Sequence, residues 1–316
     1  MDREPATLRV PCLTRLDEDE VRQHLEQDRF FWLDLTDPSA EQVLALRRLF
    51  GFHPLALEDT LNFAQRPKLD EYGDHMLLVY YGALDRELVE VHLYISGSYL
   101  VTVHRGPLPA LEGQRDRVES IALQSEESLL YRVLDSLTDS FFPVLSAIDD
   151  EIDELEEKIV AEPTEEYLRR LFGLRRELVA LRKVITPQRD IFARSIDSIS
   201  SLPGLTVDDR DYFRDVYDHL IRMSDLVDSY RDLLSGAMDL YLSTVSNRQN
   251  EVMKQLAVVG TIFLPLSFIT GFFGQNFGWL VNHALTPLWS FLAFGIGSLV
   301  LTCVALFVFF RRKGWM

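Results

Sequence analysis

SNRQNEVMKQLAVVGTIFLPLSFITGFFGQNF, Ser246 to Phe277, is the stretch whose reading decides the fold. Within it, Gln255 to Phe273 carries no charge and is mostly apolar, although Gly260, Thr261, Pro265, Ser267, Thr270 and Gly271 interrupt the large side chains. A run of this length predicts a helix that crosses ~30 Å of hydrocarbon. Lys254 stands at its start, where a long stem can carry an ammonium to the water interface. Further on, Leu288 to Phe310 is a second uncharged run, containing FLAFGIGSLVLTCVALFVFF, and predicts a second span. Arg311, Arg312 and Lys313 follow it directly, and positive residues at the end of a span mark its cytoplasmic side. Two spans put both termini on that side. The link, Gln275 to Pro287, is too short for an external domain and is expected to lie at a pore mouth.

The first span has a distinctive face. Asn250, Met253, Leu256, Gly260, Leu264, Ser267, Gly271 and Gly274 follow one another at three or four residues and carry no charge. Small residues also let membrane helices pack closely, so the pattern alone leaves packing and pore lining both open. Two spans cannot enclose a water path, so a pore requires several copies around an axis. In such a ring, Asn276 at the outer mouth and Asn250 at the inner end offer amide oxygens to a hydrated cation. Met253, Leu256 and Leu264 supply apolar constrictions able to block ions by dewetting.

The chain before the membrane is strongly acidic. No Asp or Glu follows residue 251, and only four basic residues do, which leaves 28 Lys and Arg against all 49 acids, a formal charge of −21. This part repels nucleic acid and attracts cations. Cys12 and Cys303 lack the spacing of a zinc site or a disulfide framework. The opening MDREPATLRV has no basic-then-apolar leader, so the large N-terminal part is expected to remain in the cytoplasm. No P-loop, nucleophile elbow or His/Cys cluster is present, which argues against an enzyme and against nucleotide hydrolysis as an energy source.

Phe30 to Leu35, Met76 to Tyr81, Val89 to Ile95 and Tyr99 to Val103 are aromatic and β-branched at strand lengths. Asp37-Pro38 opens a helix through Phe50, and Pro54 opens another through about Asn62. The region 1–125 is thus an α/β or α+β domain whose strand order is not readable, and an αβα sandwich is the arrangement expected of it. In region 126–207, Ile148, Ile152, Leu155 and Ile159 form one apolar stripe, and seven acids between Asp149 and Glu157 face water or ions. Pro163-Thr164 breaks that helix, a second runs from Glu165 to about Ser198, and Leu202-Pro203-Gly204 closes the hairpin. From Asp208 to Phe273 no break intervenes before Pro265, and 66 residues of helix at ~1.5 Å each reach ~100 Å. Phe213, Val216, Leu220, Met223, Val227, Tyr230, Leu234, Ala237 and Tyr241 give it a heptad stripe suited to assembly between copies. The expected organisation is therefore a stalk at 208–251, a pore helix at 252–274, an external loop at 275–287, a second span at 288–310 and a basic tail at 311–316.

Three motifs resemble one known family. Ser246 to Phe277 resembles the pore helix and signature loop of the CorA family of divalent-cation transporters, and so do HPLALEDTLNFAQRPKLD at 53–70 and YFRDVYDHLIRMSD at Tyr212 to Asp225. The resemblance spans nearly the whole chain in the same order. It implies a homopentameric funnel with a cytoplasmic α/β domain, a long stalk helix continuing into the first span, and passive, gated entry of divalent cations, magnesium first, with no organic cofactor. Matched by position, Asn276 takes the place of the signature asparagine that meets the incoming hydrated ion, next to Gly274 and Gln275. Asn250, Met253, Leu264, Ser267, Gly271 and Gly274 match pore-lining positions. Asp59 and Asp215 match a pair that binds a regulatory divalent ion between neighbouring subunits, with Glu58 beside it. Facing carboxylates repel until a divalent cation bridges them, so ion occupancy favours the closed ring.

The departures concern ion choice. Gln275 stands where the family's Gly-Met-Asn signature has Met, and the loop FGWLVNHALTP carries no acid where many magnesium-transporting relatives have one. His283 in that loop is a ligand suited to cobalt, nickel or zinc. Two other readings stand beside the magnesium channel: a zinc transporter of the same superfamily, proton-coupled or not, and a membrane-anchored oligomeric scaffold or sensor without transport.

Overall fold

A computed structural model describes residues 10–120, 126–199, 210–275, 278–279, 282–283 and 288–314. The chain forms two compact units, one ending at Met238 and one beginning at Asp239.

The first unit is built on a six-stranded sheet. Its strands are β1 (Cys12–Leu13), β2 (Phe31–Thr36), β3 (Lys68–Glu71), β4 (Met76–Leu84), β5 (Glu87–Ser96) and β6 (Tyr99–His104), in the spatial order β1-β2-β6-β5-β4-β3. The β1–β2 and β2–β6 pairs are parallel and the others antiparallel. The four strands expected from composition are present. The two additional strands lie at the edges and are short: β1 has 2 residues, and β3, with the sequence KLDE, has neither apolar alternation nor β-branched residues. The charge on β3 and the brevity of β1 both discourage pairing with foreign strands.

Helices cover both faces of the sheet, which explains why β4 is buried along almost its entire length. On one face lie α1 (Glu18–Glu26), α2 (Ala40–Phe50) and α3 (Pro54–Leu61). His24 stacks on Phe31, Phe50 packs on Tyr99, and Thr60 of α3 bonds to His92 and Tyr94 of β5. The other face receives α4 (Pro109–Ser120), α5 (Glu126–Asp139) and α7 (Glu165–Ile199). There Arg115 meets Asp34 at 2.6 Å, and Tyr80 bonds to Thr138 and packs edge-on against Phe192. The result is the expected αβα sandwich. The helix expected from Asp37-Pro38 begins instead at Ala40, because Ser39 caps it in a reciprocal box with Gln42, and it ends on Gly51 in the left-handed region at φ 72°.

Helix α6 (Phe141–Ala161) and α7 form the hairpin, and α8 (Arg210–Phe273) is a single helix of 64 residues. The Leu202-Pro203-Gly204 stop and Asp208 lie outside the described residues. Two expectations need correction. Of the α6 acids expected to face water or ions, Glu151 is bound by both Arg170 and Arg86. The Arg170 hydrogen bond, outweighing partial burial and joined by Arg86, holds its carboxyl below the usual carboxylate range. The heptad stripe of α8 is likewise not free for assembly, since Phe213, Val216, Leu220, Met223, Val227, Leu234 and Ala237 are all buried within the single chain. Heptad spacing marks a face that must be covered, and here the chain's own fold covers it.

In the second unit, α8 ends at Phe273 and a second apolar helical segment follows. It comprises α9 (Leu288–Ser290), a π-helical stretch (Phe291–Ile296) and α10 (Gly297–Arg312). Both are long and apolar enough to cross a membrane, and almost none of either apolar stretch is buried. Leaving such surface in water would forfeit ~25 cal/mol per Å², which lipid contact or neighbouring copies recover.

Candidate functional site

The acids of α3 are held by its anchoring. His53 caps the helix, its Nδ1 accepting from the Leu55 N–H at 3.3 Å, and Pro54 occupies the first position, where a missing N–H costs little. At the other end the Thr60 hydroxyl is buried among the Ala56 carbonyl, His92 Nδ1 and the Tyr94 hydroxyl. The following loop is tied down by Glu90, whose carboxylate accepts from the Ala64 and Gln65 N–H groups, Tyr81 and His92. Burial alone would raise the Glu90 carboxyl, but these donors hold it below its ordinary value.

This anchoring leaves Glu58 exposed and Asp59 partly covered. Asp59 Oδ2 accepts from Lys68 Nζ at 2.7 Å, and the same ammonium reaches Asp70 at 2.6 Å. Burial opposes that ammonium, but the two carboxylates outweigh it and raise the Lys68 pKa. Within one chain, then, Asp59 is already paired with an internal cation that it shares with Asp70. Lys68→Met is expected to leave two uncompensated carboxylates and to lower the magnesium concentration that half-protects the soluble part from trypsin by ~3- to 10-fold. An unchanged midpoint would show that Asp59 takes no part in cation binding.

Asp215 lies on α8, half-exposed, and accepts from the Tyr131 hydroxyl at 2.9 Å. It does not share a partner with Asp59. One turn further along, His219 lies against α5, with Nδ1 3.3 Å from Asp139 Oδ1 and 3.6 Å from Asp135 Oδ1. Ligand atoms of Asp135, Asp139 and His219 all fall within 4.8 Å of one another. Asp135 Oδ1 and His219 Nδ1 are also buried without a hydrogen-bond partner. Such groups are costly unless something else satisfies them, and a cation between them does so. The Asp135 carboxyl is pushed up to about 6 by burial first and by Asp139 next, against the lowering influence of His219 and Arg132. The sequence carried half of this signal. Asp135/Asp139 and Asp215/His219 are both i, i+4 pairs, but nothing in the sequence says that the two helices meet.

The expected pore face can be located from burial. In the second unit Lys254, Val258, Ile262, Pro265, Leu266, Ile269 and Phe273 are half-covered, whereas Met253, Leu256, Gly260, Leu264, Ser267, Gly271 and Gly274 are exposed, as is Asn250. At 3.6 residues per turn these two stripes stand roughly 180° apart on the helix. The uncharged small-residue face therefore points away from the side that its own unit covers. A Cβ added at Gly260 or Gly271 meets nothing within 4 Å. The single chain has no need of their small size, although each glycine costs ~1 kcal/mol of helix stability relative to alanine.

At the end of the span the Gly274 N–H bonds to the Thr270 carbonyl and the Gln275 N–H to Phe272. Asn276 lies outside the described residues. His283 stacks on Trp279, with ring centroids 5.9 Å apart. Lys254 Nζ donates to the Gly314 carbonyl at 3.3 Å, so the start of the first apolar segment and the residues after the second lie together.

A sandwich domain, a helix that ends in an apolar span, a second span returning to its start and acid clusters able to hold cations define a membrane protein of the transporter class. The chain belongs to the family of CorA-like Mg2+ transporter proteins, whose family model matches residues 27–312. It is 35% identical to the cobalt/magnesium transport protein CorA of Thermotoga maritima over 90% of this chain and 83% of that protein. It is 33% identical to the putative metal ion transporter YfjQ of Bacillus subtilis, over 90% of each. The solved structure of the CorA magnesium transporter from Methanocaldococcus jannaschii superposes with a TM-score of 0.79 at 29% identity, covering 90% of this chain and 91% of that one.

Proposed function

We propose that this chain forms a homo-oligomeric channel for hydrated divalent cations, magnesium foremost, with cobalt and nickel also admitted. The observation that carries the reading is the pair of opposed stripes on α8: an uncharged, small-residue face turned away from the side that its own unit half-covers is available to line a path shared among copies. Family membership and the name of the Thermotoga maritima relative, a cobalt/magnesium transport protein, support the choice of cargo. A pentamer is the assembly we adopt, by resemblance.

In this reading Gly274, Gln275 and Asn276 ring the outer mouth, and Asn250 rings the inner end. Between them, Met253, Leu256 and Leu264 gate by dewetting, and Gly260, Ser267 and Gly271 leave room for the ion's water shell. The protein lies in the plasma membrane, the inner membrane where there are two, with both termini cytoplasmic. The cluster at Arg311 to Lys313 and the Lys254–Gly314 contact support that topology. Divalent ions bound on the cytoplasmic side, by Asp59, Glu58 and Asp215 and by the Asp135/Asp139/His219 cluster, hold the ring closed. The membrane potential drives entry at ~2.3 kcal/mol per charge per 100 mV, twice that for a divalent ion, without an organic cofactor or an enzymatic step.

Flux into liposomes containing the purified protein tests this reading across magnesium, cobalt, nickel and zinc. Magnesium is expected to enter under an inside-negative potential, and Asn276→Ala is expected to reduce entry at least ~30-fold by removing the amide ring. Transport that ignored Asn276→Ala would favour the scaffold or sensor. Zinc uptake abolished by an uncoupler would favour the proton-coupled alternative.

A further inference from the structure

The first unit contains a cavity of about 710 Å³ with a charge opposite to that of the chain as a whole. It lies between the loop before β3, the middle of α7 and α8, and four cations line it: Arg66, Arg182, Lys183 and Arg231. No acid is among its lining residues, in a chain that carries 49 acids against 32 Lys and Arg. Asp228 stands nearby, 3.0 Å from Arg231 and 3.5 Å from Arg182, and offsets one charge. Arg66 and Lys183 have no ion-pair partner among the described residues.

The walls are built rather than incidental. The loop that carries Arg66 is fixed on its N-terminal side, where Glu90 accepts from the Ala64 and Gln65 N–H groups and the Tyr81 hydroxyl donates to the Gln65 carbonyl. Tyr81, Val184 and Pro187 add an apolar surface beside the cations. Pro187 lies inside α7 and has no N–H, so the Lys183 carbonyl lacks its i+4 donor and remains an acceptor in the same region. Clustered cations, an apolar wall and a spare carbonyl suit a ligand with a polyanionic end and a flat, partly apolar body that carries donors.

We propose that this cavity binds a nucleoside polyphosphate, with the phosphates on Arg66, Lys183, Arg182 and Arg231 and the base against Tyr81, Val184 and Pro187. The overall negative charge opposes the approach of such an anion, but screening over ~8 Å at physiological salt leaves the local cations dominant. Nucleoside polyphosphates chelate divalent cations. On the transport reading, occupancy would therefore report the chelating capacity of the compartment the cation enters, whereas binding itself does not depend on that reading.

The test is calorimetric titration of the full-length protein in detergent with ATP, free of divalent cations, alongside tripolyphosphate, adenosine and phosphatidylglycerol vesicles as competitors. ATP is expected to bind saturably and to be displaced by tripolyphosphate but not by adenosine. The Arg66→Gln/Lys183→Gln double variant, which alters two exposed side chains and should melt like the wild type, is expected to bind at least tenfold more weakly. Arg175→Gln, an exposed cation elsewhere on α7, is expected to bind like the wild type. Absence of saturable ATP binding, or equal binding by the double variant, would overturn the proposal. Displacement by the vesicles but not by tripolyphosphate would also overturn it, assigning the cavity to a lipid headgroup.

Discussion

Gly271→Leu is expected to abolish divalent-cation flux while leaving each chain folded. The substitution adds an isobutyl group at a position where an added Cβ meets no packed neighbour within 4 Å. Leucine is also the better helix former by nearly 1 kcal/mol, so an isolated chain is not destabilised. Around an axis the same group is introduced once per copy, and a narrow uncharged face becomes a closed apolar plug that repels a hydrated ion. Flux should fall at least ~100-fold, with unchanged circular dichroism and unchanged elution of the oligomer. Ile262→Leu, on the half-covered stripe roughly 180° away, should remain within about twofold of the wild type. Equal flux by Gly271→Leu would remove this face from the pore.

Protection of the soluble part by divalent ions should disappear as the pH falls through about 6. Asp135 holds its proton to about 6 in the folded chain, against an ordinary 3.8. Between those values the folded state binds more protons than the unfolded state, so without metal this group makes stability fall as the pH rises through the window and level off above it. The gap caps the effect at ~3 kcal/mol, and partial exposure reduces it to on the order of 1 kcal/mol. A cation that displaces the proton reverses the penalty above pH 6. The groups facing Asp135 are Asp139, Asp215, Arg132 and His219, and removing Asp135 itself isolates its contribution. Cobalt at pH 7.5 should raise the melting temperature by several degrees, should do little at pH 5, and should do little at either pH in Asp135→Asn/Asp139→Asn. Because one ligand is an imidazole nitrogen, cobalt should act at ~10-fold lower concentration than magnesium, and His219→Asn should remove that preference. Melting curves insensitive to cobalt at pH 7.5 would show that the cluster is not a cation site.

The membrane segments were the most legible part of the sequence, because an uncharged run of span length admits few other readings. Strand identity in β2, β4, β5 and β6 was legible from composition, but sheet order was not, because it depends on which strands meet rather than on what each contains. The α8 stripe from Phe213 to Ala237 shows the same boundary. Its spacing correctly announced a face to be buried, but a heptad cannot say whether a second copy or the same chain does the burying. Asp59 was singled out as a regulatory cation ligand, and its pairing with Lys68 follows from the placement of β3, a four-residue polar strand without a sequence signature. Asp135 and Asp139 escaped notice among 49 acids, and their convergence on a buried His219 ring nitrogen that makes no hydrogen bond is what distinguishes them.

The contact between Lys254 and the Gly314 carbonyl also bears on how the protein is made. With both termini cytoplasmic, as proposed above, two apolar helices whose far ends meet can enter a bilayer together as one hairpin, and only the residues between them, Gln275 to Pro287, are carried through. That segment contains no Asp, Glu, Lys or Arg, so the step moves no formally charged side chain through hydrocarbon when His283 is neutral. The acidic domain, synthesised first, can fold in water before the hairpin emerges. On that topology, biogenesis reduces to inserting one uncharged loop.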